Sequence, residues 1–512
     1  MNDMGDELNI ARLKPWDEGC PSINGPDICG ASAGKPFFYA VPATGQRPME
    51  FEAEGLPEGL SIKASSGYVE GSALKEGEFD ILLRAKNVHG KAEREFRVSI
   101  GRGPALTPPM GWNSWNAWRM WVDDSKIRQA ADALTGKGLA ARGYTFVNID
   151  SCWQGPRGGR LNSIQPNSKF PDMKSLSDYV HSRGLKIGIY SSPWTAPFGC
   201  HKGDPSRFWG GPDLIGCSSG DPDPDYPFKA GQGMYIGINK HEACDVAQWV
   251  EWEMDYLKYD WTPNDPVSLE RMGRLLKESS RDFIMSICLE ARIENAVAYK
   301  RWAHMWRGIP DTRDNWPSVV KNAFLSDDWF NEDWRPYSGP GGWHDLDMLA
   351  LGPQYETKDK SRPNRLTKSE QVACMTAWAL YPSPILLSCD LEAADDFEMS
   401  LFGNEEVIAI NQDRLGRPAY RLKEERFQPV SSGRPVRNSR VWAKELADGS
   451  FALGLFNLSD RTSEISVDLR ELGIDGSLRA RNVWEKRDLE RTGHVFSLQV
   501  EPHGAQLVKI TV

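Results

Sequence analysis

The stretch DYLKYDW, residues 255–261, alternates like a β-strand and carries a lysine and an aspartate two positions apart. Alternate side chains of a strand share a face, so Leu257 and Tyr259 point one way while Lys258 and Asp260 point the other. One face of this strand is therefore charged. A nearby cation keeps a carboxylate ionised at neutral pH, and an ionised carboxylate can act as a nucleophile.

An aspartate at the end of a strand is also a common N-cap of the following helix. Here the turn TPND follows at once, and Asn264 and Asp265 can supply the cap. Asp260 is thereby free for chemistry, and we predict that it is a catalytic nucleophile.

A second carboxyl is needed to protonate the leaving group, and its pKa must be raised, most simply by closeness to the first anion. Asp311, in WRGIPDTRDNW, is the leading candidate. The alternative is that Asp311 only forms a salt bridge with Arg307 or Arg313. Asp314, three residues further on, could be mistaken for it.

From Pro109 onward, strand-like runs alternate with helical ones. The helical stretch SKIRQAADAL has apolar residues at i, i+3, i+4 and i+7, with Asp123 or Asp124 as N-cap, and DMKSLSDYVHSRG repeats the pattern up to Gly184. Eight alternations predict a (β/α)8 TIM barrel. The strand-like runs are MGWNSW, YTFVNID, LKIGIY, DYLKYD, FIMSIC, MWRGIP, GGWHDLD and PILLSC.

Strand-rich segments flank this region on both sides. Residues 30–102 alternate short strand-like runs with turns, which predicts an N-terminal Ig-like β-sandwich, and GRGPALTPP reads as a linker. The last hundred or so residues contain a hairpin signal at Asp448-Gly449 and predict an antiparallel β-sandwich. We therefore predict three domains, over residues 1–104, 105–418 and 419–512.

In a TIM barrel, the C-terminal ends of the strands converge on one mouth, where the active site lies. A mouth rich in carboxylates and aromatic rings suits a neutral polyol. The strand ends of this chain place there Trp115, Asp150, Tyr190, Lys258, Asp260, Cys288, Glu290, Arg307, Asp311, His344, Asp345, Asp347, Cys389 and Asp390.

The composition excludes several other classes of function. The net charge of -10 and the pI near 5.5 argue against nucleic acid or an anionic membrane as a partner. No apolar run approaches the ~20 residues of a membrane span, and the first residues lack the apolar core of a signal peptide. The eight histidines form no HxH or HExxH spacing, and the glycine-rich GPRGG and GPGGW lack the features of phosphate loops. We expect neither a metal nor another cofactor.

Nine cysteines show no CxxC pair, and their odd number leaves at least one unpaired. Cys20 with Cys29, and Cys200 with Cys217, lie in loop-like sequence and could form disulfides. Buried free thiols are an equally good interpretation.

The ordered motifs TPPMGWNSWNAW, YTFVNIDSCWQG, FPDMKSLSDYVHSRGLKIGIYSSPW, DYLKYDW, GPGGWHDLDML and VIAINQDRLG resemble glycoside hydrolase family 27, the clan of α-galactosidases and α-N-acetylgalactosaminidases. The resemblance covers roughly residues 107–418. The segment before it resembles an Ig-like module found beside bacterial carbohydrate enzymes, and the C-terminal strands match the position of the family's β-sandwich.

This resemblance implies a retaining mechanism through a covalent glycosyl-enzyme, with two carboxyls about 5 to 5.5 Å apart. Asp260 matches the family's nucleophile, Asp311 its acid and base, and Arg307 its arginine. Cys288 or Glu290 should lie near the sugar 2-substituent. The positions that match the family's sugar-binding residues are Trp115, Asp150, Tyr190 and Lys258.

Three features depart from the family pattern. Where many members have two adjacent aspartates that bind the sugar 4- and 6-hydroxyls, this chain has Asp150 followed by Ser151. The cysteine that often follows the nucleophile motif is replaced by Trp261-Thr262. A long insertion between Cys200 and Lys240 is expected to overhang the mouth on the leaving-group side.

The resemblance implies an exo-α-galactosidase that acts on an oligosaccharide or polysaccharide and is secreted or periplasmic; no feature indicates an oligomeric state. Because of Ser151, a β-L-arabinopyranosidase and an isomalto-dextranase type that cleaves α-glucans stay open. A barrel that binds carbohydrate without catalysis is a remote alternative, since both Asp260 and Asp311 are present.

Overall fold

The computed structural model describes residues 10–198, 216–226, 235–325, 333–427, 436–474, 478–489 and 494–511. Its centre is a ring of eight parallel strands, in which chain neighbours pair from the first to the seventh and the eighth pairs with the first. A bridge between Leu349 and Leu387 joins the segment after the seventh strand to the eighth and closes the ring. In chain order the strands are Met110–Asn113, Phe146–Asn148, Lys186–Ser191, Tyr256–Asp260, Ile284–Cys288, Met305–Trp306, Trp343–His344 and Ile385–Leu387.

Each of the eight predicted runs overlaps one of these strands, so the TIM barrel is confirmed. The helices between them also follow the sequence pattern. Asp123 caps the second helix, which buries Ile127, Ala131 and Leu134 completely, and Asp172 caps the third. Among the described residues of this region, the α-helices are Ser114–Trp118, Asp124–Gly136, Met173–Ser182, Glu242–Glu251, Pro266–Glu278, Ala296–Trp302, Trp316–Val319, Lys368–Leu380, Asp396–Phe402 and Glu405–Asn411.

In the part of the barrel that the structure describes, three hairpins extend its loops. They pair Gln154–Gly158 with Ser163–Pro166, Ser218–Pro222 with Gly237–Lys240, and Gln354–Thr357 with Lys360–Arg362. The second belongs to the predicted insertion between Cys200 and Lys240. The rest of that insertion, residues 200–215 and 227–234, lies outside the described residues.

The N-terminal unit is the predicted β-sandwich, with its own apolar core of buried residues between Ala31 and Ile100. Its larger sheet runs in the order Ile28–Ala31, Gly90–Ile100, Gly77–Asn87 and Glu50–Glu54. The facing sheet runs in the order Phe37–Ala40, Tyr68–Gly71 and Leu60–Lys63, and Ser22–Ile23 pairs with Ala43–Thr44.

This unit packs against the end of the barrel opposite the mouth. The Ser32 amide donates to Asp282 at 2.7 Å, and Lys35 donates to the carbonyls of Lys277 and Arg281 at 2.9 and 3.1 Å. Asp282 lies two residues before the fifth barrel strand, so these contacts lie at the N-terminal ends of the strands. A cavity of about 470 Å³ lies in the same interface.

The C-terminal unit packs on the helix Lys368–Leu380, whose residues from Ser369 onward are all buried. The indole of Trp484 donates to Thr376 at 2.9 Å across this contact. A six-stranded antiparallel sheet faces a two-stranded one, which confirms the second sandwich, and the predicted turn at Asp448-Gly449 joins two of the strands. The strands of the larger sheet run in the order Tyr420–Phe427, Val436–Glu445, Phe451–Asn457, Ala505–Thr511, Arg479–Asn482 and Arg487–Leu489. In the smaller sheet, Ser463–Asp468 pairs with Val495–Val500.

The cysteine predictions have different outcomes. Cys20 and Cys29 are free thiols, and Cys20 donates instead to the carbonyl of His89, so the disulfide between them is not formed. The pairing of Cys200 with Cys217 involves a residue outside the described part of the chain. Among the helices in the described ranges, none has the length and apolar character that crossing a membrane requires.

Candidate active site

The fourth barrel strand, Tyr256–Asp260, is buried along its whole length. Leu257 and Tyr259 pack in the main apolar core of the barrel, while Lys258 and Asp260 carry the polar contacts at its mouth. Asp265 caps the following helix by accepting a hydrogen bond from the Ser268 amide at 2.7 Å. The strand therefore presents its charged face to the mouth, and the capping role falls to Asp265, as predicted.

One carboxylate oxygen of Asp260 is bonded and the other is not. Tyr190 donates its hydroxyl to Oδ2 at 2.9 Å, whereas Oδ1 is buried with no hydrogen-bond partner among the described residues. Burial raises the pKa of Asp260 to about 6, against the opposing effect of Lys258 and Arg307. Asp260 is therefore still mostly ionised at pH 7, and it holds one oxygen free for a ligand.

Lys258 has a different partner from the one that the sequence suggested. Its ammonium group forms a salt bridge with Asp150 at 2.7 Å, in a site where the two side chains are only 10% and 3% exposed. It lowers the pKa of Asp260 only from a distance, and burial outweighs it. The expectation that Lys258 favours the ionised form of Asp260 is thus confirmed, although the salt bridge of Lys258 is with Asp150, just after the second strand.

Asp150 is fixed by three hydrogen bonds. Asn113 and Lys258 donate to its Oδ2, and the Ser151 amide donates to its Oδ1 at 2.8 Å. The hydroxyl of Ser151 is buried and has no partner within the described ranges. A buried polar group without a partner is costly, so this hydroxyl is a candidate contact for a ligand.

Asp311 lies beyond the short sixth strand and accepts a hydrogen bond from Arg307 at 2.9 Å. Arg307 is almost fully buried, whereas the side chain of Asp311 is 63% exposed. Although burial acts the other way, Arg307 lowers the pKa of Asp311 in the unliganded protein. We expected a raised pKa, and that expectation is wrong because this guanidinium lies beside the carboxylate.

The salt bridge that the sequence offered as the alternative role of Asp311 is therefore present. It does not exclude catalysis, since Arg307 also lowers the pKa of Asp260 and so lies close to both carboxylates. Asp314 is not a competitor. It is 3% exposed and is held by two hydrogen bonds from Arg362.

The remaining predicted residues divide between the mouth and its rim. Trp115 is half-buried on the helix Ser114–Trp118 and packs against Cys152. Cys288 is buried, and burial raises the pKa of its thiol beside the charges of Lys258 and Asp260.

Glu290 is exposed and accepts a hydrogen bond from the Thr262 hydroxyl at 2.7 Å. Both Leu289 and Glu290 have positive φ, at 62° and 52°, so the chain turns sharply after the fifth strand. Of the two candidates for the sugar 2-substituent, Cys288 is therefore the one that lies beside Asp260.

Two carboxylates after the seventh strand belong to the site, although the sequence assigned them no role. Burial raises the pKa of Asp345 to about 7 and also raises that of Asp347. Asp347 forms a salt bridge with Arg307 at 2.9 Å. The motif GGWHDLDM predicted that Asp345 and Asp347 lie at the mouth, but it does not indicate that Asp347 pairs with Arg307, forty residues away.

Within the described residues, no group of three or more His, Cys, Asp or Glu side chains is arranged to hold a metal ion. What the site does offer is a buried carboxylate with a free oxygen, a second carboxylate bonded to an arginine, and several hydrogen-bonding groups between them.

Comparison with known proteins identifies the family. A family model described as "Alpha galactosidase A" matches residues 107–205 and 225–413. The chain belongs to glycoside hydrolase family 27. A model of the "Alpha galactosidase C-terminal beta sandwich domain" matches residues 437–510 of this family 27 glycoside hydrolase, and one described as "Putative Ig domain" matches residues 21–101.

Individual relatives agree with this assignment. The family 27 chain is 32% identical over 425 residues to alpha-galactosidase 2 of Arabidopsis thaliana, which covers 81% of this chain and 92% of the relative. A structure from Bacteroides fragilis, described as a "putative alpha-galactosidase/melibiase", is 28% identical with a TM-score of 0.79 and covers 97% of this chain and 99% of its own. A β-L-arabinopyranosidase from Geobacillus stearothermophilus is 25% identical with a TM-score of 0.65, over 80% of this chain and 97% of its own.

Proposed function

We propose that this glycoside hydrolase is a retaining exo-α-galactosidase that releases terminal α-linked galactose from an oligosaccharide or polysaccharide. The observation that carries the proposal is the state of Asp260, whose Oδ1 is buried, unbonded and anionic at the mouth while Tyr190 holds Oδ2. This is the arrangement that a nucleophile requires, because the oxygen that must attack carbon is not engaged elsewhere.

In the first step, Oδ1 of Asp260 bonds to the anomeric carbon as the bond from that carbon to the leaving oxygen breaks. Asp311 gives its proton to the leaving oxygen. In the second step, Asp311 takes a proton from water, the water oxygen bonds to the anomeric carbon, and the ester to Asp260 breaks. Two displacements on one carbon restore its configuration.

Asp311 must carry a proton in the first step, although Arg307 lowers its pKa in the free enzyme. A bound sugar removes water from the mouth, and this desolvation favours the neutral form of a carboxyl. Asp150, Lys258 and Tyr190 supply a fixed set of polar groups that suits sugar hydroxyls.

The proposal is tested with nitrophenyl α-galactoside, β-L-arabinopyranoside and α-glucoside measured side by side. We expect the galactoside to have the highest kcat/KM. Failure to hydrolyse the galactoside together with rapid turnover of either other substrate would refute the assignment of the sugar.

The catalytic roles have their own test. With azide as an added nucleophile, Asp260→Gly should convert nitrophenyl α-galactoside to the β-galactosyl azide, since azide attacks once from the vacated face. Asp311→Ala should instead yield the α-galactosyl azide, because the glycosyl-enzyme still forms. The same anomer from both variants would contradict the roles.

Ser151 favours β-L-arabinopyranosidase as a second candidate. Its hydroxyl is neutral and unbonded, whereas a charged acceptor at this place would strengthen a hydrogen bond to roughly 1.5–3 kcal/mol. A β-L-arabinopyranoside lacks the 6-hydroxymethyl group of galactose, so it needs the missing acceptor less. Ser151→Asp should raise the ratio of galactoside to arabinopyranoside kcat/KM about tenfold, and an unchanged ratio would argue against a role of Ser151 in this choice.

An isomalto-dextranase type and a non-catalytic carbohydrate-binding protein are the remaining alternatives, and the same substrate panel separates them. We also propose that the enzyme is secreted or periplasmic, because polymeric substrates do not cross membranes. Fractionation of the cells that produce it, followed by an activity assay of each fraction, tests the location.

A further inference from the structure

Asp347 links the two groups that surround Asp311. Its Oδ2 accepts one hydrogen bond from the Thr312 amide at 2.7 Å, and it lies 2.9 Å from Nη1 of Arg307. Thr312 directly follows Asp311 in the chain, and the same Nη1 of Arg307 donates to Asp311 at 2.9 Å. One buried oxygen therefore holds both the backbone beside Asp311 and the cation bonded to it.

The backbone of Asp347 is itself held in an unusual conformation. Its φ is 73°, in the left-handed region, where residues other than glycine are strained by roughly 1–3 kcal/mol. Two bonds maintain it, from the Asp347 amide to Asp345 at 2.8 Å and from the Trp378 indole to the Asp347 carbonyl at 2.9 Å. In this backbone conformation, the carboxylate of Asp347, which is only 3% exposed, contacts Arg307.

The charges around this pair oppose one another. The positive charges of Arg307 and the more distant Lys258 favour the ionised form of Asp311. An anion near Arg307 offsets its positive charge and so favours the protonated form of Asp311. Asp347 is that anion, because it shares the guanidinium with Asp311. Burial raises the pKa of Asp347 and Arg307 opposes this, while Asp345 is a second carboxyl on the loop that carries Asp347.

We propose that Asp347 is a positioning residue for acid–base catalysis, which fixes the Thr312 amide and Arg307 around Asp311 and offsets the charge of Arg307 so that Asp311 can carry a proton. The inference rests on the proposed function, in which Asp311 is the acid and base. It adds a residue that acts through Arg307 and Asp311 without touching the reacting atoms.

The test is Asp347→Asn, which keeps the shape, an acceptor oxygen and tolerance of positive φ, and removes only the charge. Without that charge, Arg307 holds Asp311 in its ionised form. The pKa of Asp311 should therefore fall further, and its protonated fraction at a given pH should drop about 10- to 100-fold. Alkyl α-galactosides, which need the acid, should lose kcat/KM by that factor.

Dinitrophenyl α-galactoside, whose leaving group needs no proton, should lose less than about threefold. A plot of kcat/KM against the pKa of the leaving group should therefore be steeper for Asp347→Asn than for the natural enzyme. Equal losses on both substrates would show a merely structural role and overturn the inference, as would no loss on either.

Two further variants complete the test. Asp314→Asn removes another buried carboxylate, which lies three residues after Asp311 and is bonded to Arg362, and it should leave the leaving-group slope unchanged. If Asp347→Asn does not fold, Asp347→Gly takes its place, because glycine suits the φ of 73° and also removes the charge.

The proposed function can fail separately. Asp311→Ala should steepen the same plot more than Asp347→Asn does. If Asp311→Ala leaves the slope unchanged, the acid is misassigned, and the proposed mechanism fails with the inference. If Asp311→Ala steepens it and the Asp347 variants do not, only the role of Asp347 is wrong.

Discussion

Replacing Asp260 by asparagine should make the protein more stable at neutral pH while it abolishes turnover. Burial raises the pKa of Asp260 from 3.8 to about 6, so the folded protein disfavours the ionised form that catalysis needs. The value already contains the attraction of Lys258 and Arg307, so the cost of ionisation is a net one. Asp260→Asn removes this cost and keeps the size of the side chain.

The magnitude follows from the difference in pKa between the folded and unfolded chain. A difference of about 2 pH units corresponds to about 3 kcal/mol. In a unit as large as the barrel, this raises Tm by about 4 °C. The folded state binds the Asp260 proton more tightly than the unfolded chain, so stability falls as the pH rises from about 4 to about 6, and the full cost is present above pH 6.

The assay is calorimetry of the natural protein and Asp260→Asn from pH 4 to pH 8. The two Tm values should agree near pH 4, diverge up to about pH 6 and keep a constant difference above it. Asp311→Asn is the matched control, because Arg307 lowers the pKa of that carboxyl and the variant should not gain stability as the pH rises. A Tm difference for Asp260→Asn that is independent of pH, or that closes as the pH rises, would refute the reasoning.

Three further predictions concern two buried ion pairs and a contact of the N-terminal unit. Lys258→Met should lower the free energy of unfolding by about 3–5 kcal/mol, because it leaves the buried Asp150 without its cation. Adding Asp150→Asn to this variant should recover at least about 1 kcal/mol. Additive costs of the two substitutions in a double-mutant cycle would contradict the pairing. Arg362→Leu should lower the free energy of unfolding by about 3 kcal/mol, because it leaves the buried Asp314 without its cation. It should also lower kcat, since Asp314 lies in the same loop as the proposed acid Asp311. Unchanged thermal unfolding would contradict this prediction. Lys35→Met removes two hydrogen bonds to the barrel, so it should lower the free energy of unfolding by about 1–2 kcal/mol and leave kcat/KM within about twofold. As a control, substitution of the exposed Lys75 by methionine should change neither quantity. A loss of activity in Lys35→Met would show that the N-terminal unit influences the mouth.

Local sequence patterns were enough to predict the elements of this fold. Strand-like runs and apolar spacing identified all eight barrel strands and the helices that begin after Asp123 and Asp172. These features depend on residues within a few positions of each other, so a single sequence contains them. The same holds for the turn at Asp448-Gly449.

The sequence also placed the chemistry at the correct end of the barrel, because parallel strands bring their C-terminal ends to one mouth. Of the partners within that mouth, it offered only the short-range pair Arg307 and Asp311 and not the long-range ones. Lys258 bonds to Asp150, which is 108 residues away, and Arg307 joins Asp311 to Asp347, which is 40 residues from Arg307. No periodicity connects such positions.

The sequence by itself thus determined the barrel, its two flanking sandwiches and the acidic residues that line the mouth. Only the tertiary structure decided which carboxylate each cation binds. It also decided that burial raises the pKa of Asp260, whereas Arg307 lowers the pKa of Asp311. Finally, it decided that the N-terminal unit packs at the end of the barrel opposite the mouth. The reason is that a pKa and a salt bridge depend on burial and on distances through space, which closing the ring of strands sets all at once.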